Sequence, residues 1–186
     1  MITMRHLHLD KHGIRGISIA ESYSASAATS TLAGIIMRND LLLDGFVFDA
    51  IKVTGDDSTD TILKMCRSRC DVSYVITWGS ILSRYNIVDV CSISESLNIP
   101  VLAISDTHHK DISNTLPPEK LHIYNALPDR HTVHLHTGHT LDVHVSGCTM
   151  HETRRLLNRI TIQGRIPESI RLARILASSI RQYARV

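Results

Sequence analysis

Four arginines near the C-terminus have the residue type and spacing that most clearly suggest chemistry. Placed at about 100° per residue on a helix, Arg171, Arg174, Arg181 and Arg185 fall in one narrow arc, with Ser178 among them. Ile170, Ala173, Leu176, Ala177, Ile180, Tyr183 and Ala184 fill the opposite side, and no lysine or acid interrupts the arginine arc. A guanidinium fork matches phosphate oxygens two at a time. The stripe therefore reads either as a solvated face or as a phosphate-binding track. The wider charge pattern agrees: residues 150–186 carry eight arginines against Glu152 and Glu168, a net +6, while the whole chain is only +2.

Other reactive residue types are less organised. Trp78 follows a short apolar run, Tyr74 to Thr77, and precedes Gly79. In an open α/β sheet, ligands bind at the C-terminal ends of the strands. At that position this chain offers an indole and no carboxylate, cysteine or histidine. Of the twelve histidines, most lie in the first thirteen residues, at 108–109, or at 134, 136, 139 and 144. This last group alternates with apolar residues, as the outer face of a half-buried hairpin would. Cys66 and Cys70 sit at i,i+4 on a candidate helix, but no second pair follows. With Cys91 and Cys148 they read as buried thiols rather than as a metal site or disulfide framework. Gly79-Ser80 is a serine in a turn without a spaced base and acid, and no glycine-rich phosphate loop follows any strand.

The 186 residues, 43% hydrophobic and 20% charged, describe a single domain with an ordinary core. No apolar run reaches the roughly 18–20 residues that span a bilayer. The N-terminus lacks an apolar signal core, so the expected location is cytoplasmic and no membrane partner is expected.

These groups need elements to position them. Residues 1–13 read as a flexible lead-in. Ile14–Ala20 reads as a first strand and Glu21–Ser30 as a loop. Thr31–Met37 and Phe46–Val53 form a hairpin across Arg38-Asn39-Asp40 and Asp44-Gly45. Asp57, with Asp60 three residues on, suggests a capped helix to about Arg69 that buries Ile62, Met65 and Cys66. The Tyr74 strand follows. A helix capped by Asp89 comes next, ended by Asn98 and Pro100, and then a strand over Pro100–Ser105. Asp106–Glu119 reads as a loop, with or without one helical turn, and Leu121–Tyr124 as a strand. Thr132–Ser146 reads as a hairpin with the loop Thr137-Gly138-His139, which sets Val133 against Val143, Leu135 against Leu141, and His134 against Asp142. Thr149-Met150-His151-Glu152 is a capping box for a helix to about Arg159. Pro167 opens the last helix, completing a basic helical part over 149–186. Three antiparallel strands feeding a β–α–β unit predict a ribonuclease H-like α/β fold with flanking helices, a C-terminal hairpin and two final helices.

Several stretches in this order resemble the archaeal endonuclease dU family, which is related to endonuclease V. They are Ile14-Arg15-Gly16, Gly34 to Arg38, Val53 to Thr59, Asn86 to Asp89 and, longest, Gly164 to Ala173. The resemblance runs from about Lys11 to Ile180. It implies a ribonuclease H-like fold and Mg²⁺- or Mn²⁺-dependent cleavage of nucleic acid in DNA repair, with carboxylates at strand ends holding the metal. The acid positions it implies are Ala20, Thr54 and Trp78 in this chain. Glu21, Asp56, Asp57 and Asp89 remain near the expected cleft, and Asp57 and Asp89 also read as helix caps.

Three readings follow. If cleavage is retained, Glu21 is the metal ligand or base, helped by Asp57, with Mg²⁺ or Mn²⁺ as cofactor. If the usual metal site is lost, the chain is a nucleic-acid binder or regulator that acts through Arg165, Arg171, Arg174 and Arg181. In the third, a small molecule occupies the cleft, against Trp78 as its floor and Asn86 beside it.

Overall fold

A computed structural model describes residues 6–11, 13–24, 26–69, 71–106 and 115–183. One seven-stranded mixed sheet organises the chain. β1 (Arg15–Ser22), β2 (Thr29–Arg38) and β3 (Leu43–Lys52) are consecutive and antiparallel. β4 (Tyr74–Trp78) then lies parallel to β1, and β7 (Val101–Asp106) parallel to β4. β9 (Thr140–Ser146) pairs antiparallel with β7 and with β8 (Arg130–His134), giving the order β3-β2-β1-β4-β7-β9-β8. A separate two-stranded ribbon, β5 (Ile81–Leu82) with β6 (Asn86–Ile87), stands beyond the end of β4.

Both faces of the sheet are covered, because the central strands alternate between two apolar sets. Ile17, Ile19, Leu32, Val75 and Val101 face α1 (Ser58–Arg67) and α2 (Val90–Leu97). Tyr74, Ile76, Leu102, Ile104, Leu141 and Val143 face α4 (Met150–Ile160). Ala20, Ile35 and Met37 face α5 (Glu168–Tyr183). A further helix, α3 (Pro118–Asn125), precedes β8. Among the described residues, no helix is long and apolar enough to cross a membrane.

The three antiparallel strands, the β–α–β unit, the C-terminal hairpin and the last two helices stand where the sequence puts them. Thr149 and Glu152 form the expected capping box, and Asp89 caps α2 by accepting from Cys91 and Ser92 N–H.

Five expectations are corrected. Residues 121–124 are helical, because Pro117-Pro118-Glu119 starts a helix with proline in its first turn. Of the expected lead-in, residues 6–11 are packed. Leu7 and Leu9 are buried against the α4 side of the sheet, and Leu7 N–H donates to Glu152 at 2.9 Å. The C-terminal hairpin pairs Val133 with Leu141 and Thr132 with Asp142. Its loop is His136-Thr137-Gly138, one residue earlier than expected, since the left-handed third position falls on Gly138. This moves the register by two, so the facing sets are preserved. His144 lies inside, its Nδ1 hydrogen-bonded to Pro128 O at 2.7 Å, whereas His134, His136 and His139 are exposed. Finally, Asp57 occupies the N-cap position of α1 without capping it through its side chain. Cys66 is buried and its thiol is pushed up to about 12, as an inert core thiol would be. Residues 1–5, Cys70, His108, His109 and Arg185 lie outside the described residues.

Candidate functional site

β1 and β4 are parallel neighbours, so their C-terminal ends open on the same edge of the sheet. α5 lies along the β1–β2 face and reaches that end. It lies close because the contact residues are small: Ser18 and Ser169 share a hydroxyl hydrogen bond at 2.7 Å, and Ala20 and Ala173 are both wholly buried. Trp78 ends β4 and packs, partly buried, against the α5 side. The guanidinium carbon of Arg174 sits 5.4 Å from the centroid of its ring. A shallow cleft of about 380 Å³ opens beside this pair, lined by Glu21, Ser22, Arg171, Arg174, Ile175 and Ser178.

Glu21 stands on the rim, but its carboxylate is occupied. It accepts from Ser30 Oγ at 2.8 Å, from Ser83 N–H at 2.9 Å and from Ser83 Oγ at 2.7 Å. Ser83 in turn takes the N–H of Thr54 on its carbonyl at 3.0 Å. Glu21, Ser83 and Thr54 thus form one chain of bonds that holds the β5–β6 ribbon against the ends of β1 and β3. Thr54 itself has φ +62°, a left-handed conformation that is unfavourable for a β-branched residue. Its hydroxyl turns back to Val53 O at 2.6 Å.

Asp57 and Asn86 form a second hub. Asn86 is wholly buried. It accepts from Ser58 N–H at 2.9 Å and donates to Asp57 at 2.7 Å and to Lys52 O at 3.2 Å. Asp57 also takes Lys52 N–H at 3.1 Å. Asn86, expected beside a ligand, joins β6 to the start of α1, with every polar atom of its amide used. Asp56 pairs with Lys120 of α3, whose ammonium also donates to Gly55 O at 2.9 Å. Burial lowers the pKa of Lys120.

A hard divalent cation needs several oxygen ligands converging on one point. At the implied positions Ala20 is buried under α5, Thr54 bonds its own strand, and Trp78 carries an arginine. Among the described residues, no three His, Cys, Asp or Glu side chains are grouped to hold a metal ion. The described residues do not fit a Mg²⁺ or Mn²⁺ site.

The arginines do assemble. Arg171 is bound by Glu168 at 2.5 Å, and that hydrogen bond and charge hold the Glu168 carboxyl below its ordinary range. Arg165 is held by Asp106 of β7, also at 2.5 Å. Arg181 donates to Ser22 Oγ at 2.7 Å. Among the described residues no carboxylate pairs with Arg174 or Arg181. These two are therefore the arginines best placed to meet an anion at the mouth. Their stripe was legible from helical spacing. Ser83 and Lys120 were not, since their partners are 62 and 64 residues away and no local pattern marks them.

A family model for endonuclease dU matches residues 12–181. A UPF0215 protein from Methanothermobacter thermautotrophicus is 23% identical, covering 95% of this chain and 96% of its own. A crystal structure of a protein of unknown function from Archaeoglobus fulgidus superposes with a TM-score of 0.76 at 22% identity, over 90% of this chain and 98% of that one. Endonuclease V of Ciona intestinalis, solved with a 23mer DNA containing an inosine, superposes with a TM-score of 0.69 at 8% identity, over 99% and 91% of the two chains.

Proposed function

The chain belongs to the endonuclease dU family and has a ribonuclease H-like fold, and from that premise we propose that it binds nucleic acid through the cleft beside α5 and has lost metal-dependent cleavage. One observation carries this reading. Where the resemblance expects carboxylates around a cation, the described residues present arginine instead, with Arg174 stacked on Trp78 and Arg181 tied to Ser22. Such a site suits a phosphate already carrying negative charge, and it offers no cradle for a cation that would activate water.

In this reading Glu21 and Asp57 hold structure rather than metal. Glu21 fixes the ribbon at Ser83, and Asp57 fixes the entry to α1. The phosphate contacts come from Arg174 and Arg181, with Arg171 and Arg165 joining when an incoming phosphate competes with Glu168 and Asp106. The small-molecule reading is not favoured, because Asn86 is sealed and Trp78 is engaged by Arg174.

The test uses purified protein with single- and double-stranded oligonucleotides containing uracil, inosine or normal bases, with and without Mn²⁺. The expected result is salt-sensitive binding in every case and intact oligonucleotides throughout. Mn²⁺-dependent cleavage that disappears in Glu21→Gln would overturn the proposal and return Glu21 to a catalytic role.

A further inference from the structure

The core of this protein is built from isoleucine, leucine and valine, and its only two phenylalanines are on the surface. Phe46 and Phe48 are 59% and 61% exposed. Both lie on β3, the edge of the seven-stranded sheet. Being two residues apart on a strand, they point to the same side and stand about 7 Å from each other. That side is known from the register. Phe46 pairs with Ile35 and Phe48 with Ala33, and Ile35 belongs to the cluster that packs with Ala173 of α5. α5 covers β1 and β2 but leaves this strip of β3 bare.

The strip is in line with the cleft. Ala20, Ala33 and Phe48 form one cross-strand row, and Ser22, Thr31 and Ala50 form the next row of the same face. Adjacent strands are about 4.8 Å apart, so Phe48 lies about 10 Å across the sheet from Ala20, at the level of the cleft floor. Cations flank it. Arg181 is held at Ser22. Lys52, exposed at the end of β3, shares the face of Phe46 and Phe48 by the two-residue period.

Two exposed rings at alternate strand positions beside cations match the way sheet surfaces receive unpaired bases, each ring stacking one base while the cations take the backbone. We infer that Phe46 and Phe48 form a stacking platform for unpaired bases, so that the preferred ligand is nucleic acid with a single-stranded segment running from the α5 cleft onto β3. This inference rests on the nucleic-acid reading above and names its substrate class.

Three labelled probes of equal length test it by fluorescence anisotropy: a single strand, its duplex, and a strand made of abasic sites. The base-bearing single strand should bind about tenfold or more tighter than the abasic strand. Phe46→Ala and Phe48→Ala should each shrink that advantage, leaving abasic binding and its salt dependence unchanged. Phe48→Trp should retain it. Equal binding of base-bearing and abasic strands by the native protein would overturn the platform while leaving phosphate binding through the arginines intact. So would a native preference that survives both alanine substitutions. Absence of binding to all three probes would overturn the nucleic-acid reading as well. Sedimentation of the same proteins adds a separate check. A native dimer that dissociates in the alanine variants, with binding unaffected, would show that this face receives a second copy of the chain and would overturn the platform.

Discussion

Arg174 lies over the face of Trp78, its guanidinium carbon 5.4 Å from the ring centroid. A cation–π contact at a partly exposed site is worth about 0.5–1 kcal/mol. That is enough to bias one rotamer of a long side chain and leave its donors aimed outward. Trp78 is also the sole tryptophan of the chain, so its emission reports on the cleft alone. Its fluorescence should change when an oligonucleotide binds. Arg174→Ala should weaken binding at low salt and reduce the slope of log affinity against log salt by about one. Titration at four or more salt concentrations measures both. A slope and affinity unaltered by the substitution would remove Arg174 from the interface.

The carboxylate of Glu21 accepts three hydrogen bonds from Ser30 and Ser83. Removing the carboxylate leaves the Ser83 N–H without its acceptor. Glu21→Ala should cost about 1–3 kcal/mol of stability, read as a lower urea midpoint. If the midpoint stays the same, Glu21 is not the clamp described here.

Thr54, at φ +62°, holds a conformation that only glycine enters freely. Its amide is needed by Ser83 O, and glycine keeps that amide. Thr54→Gly should therefore stabilise the fold by about 1 kcal/mol, the strain relieved exceeding the entropy added to the unfolded chain. A Tm equal to or below that of the native protein would contradict this account.

Glu152 gives a pH dependence with a definite sign. Burial pushes its pKa up, but hydrogen bonds from the N–H and hydroxyl of Thr149, from His6 and from Leu7 N–H outweigh it and bring the carboxyl from 4.5 down to about 2. A carboxylate with a depressed folded pKa contributes stability above its unfolded pKa and loses it as pH falls. The loss should run from about pH 4.5 to about pH 2 and amount to roughly 3 kcal/mol. Glu152→Gln should be less stable at pH 7 and should flatten this acid limb, as urea unfolding from pH 2 to pH 7 would show.

Locally encoded features were the ones readable in advance. Thr149 and Glu152 announce a helix within four residues, and the arginine arc of α5 needs only a helical period. The segment 121–124 misled because its apolar residues look strand-like in isolation, while the two prolines before it carry the helix signal. Leu7 and Leu9 looked like part of a loose terminus, since their burial depends on α4, about 145 residues away. At the candidate site the same division holds. The arginines were legible by spacing, whereas the occupation of Glu21 by Ser83 and the sealing of Asn86 depend on side chains brought together only by the finished sheet. The exposure of Phe46 and Phe48 was likewise invisible, because their alternation fits an inward or an outward face equally well.

The close seating of α5 on β1 has a consequence for what position 20 accepts. Ala20 and Ala173 are each fully enclosed within one packed cluster. Placing aspartate at position 20 would bury a charge beneath a helix and force the two backbones apart, at a cost of several kcal/mol. An acid introduced at position 20 alone would thus loosen the protein. A carboxylate at this strand end is compatible with this packing only if α5 sits farther from β1.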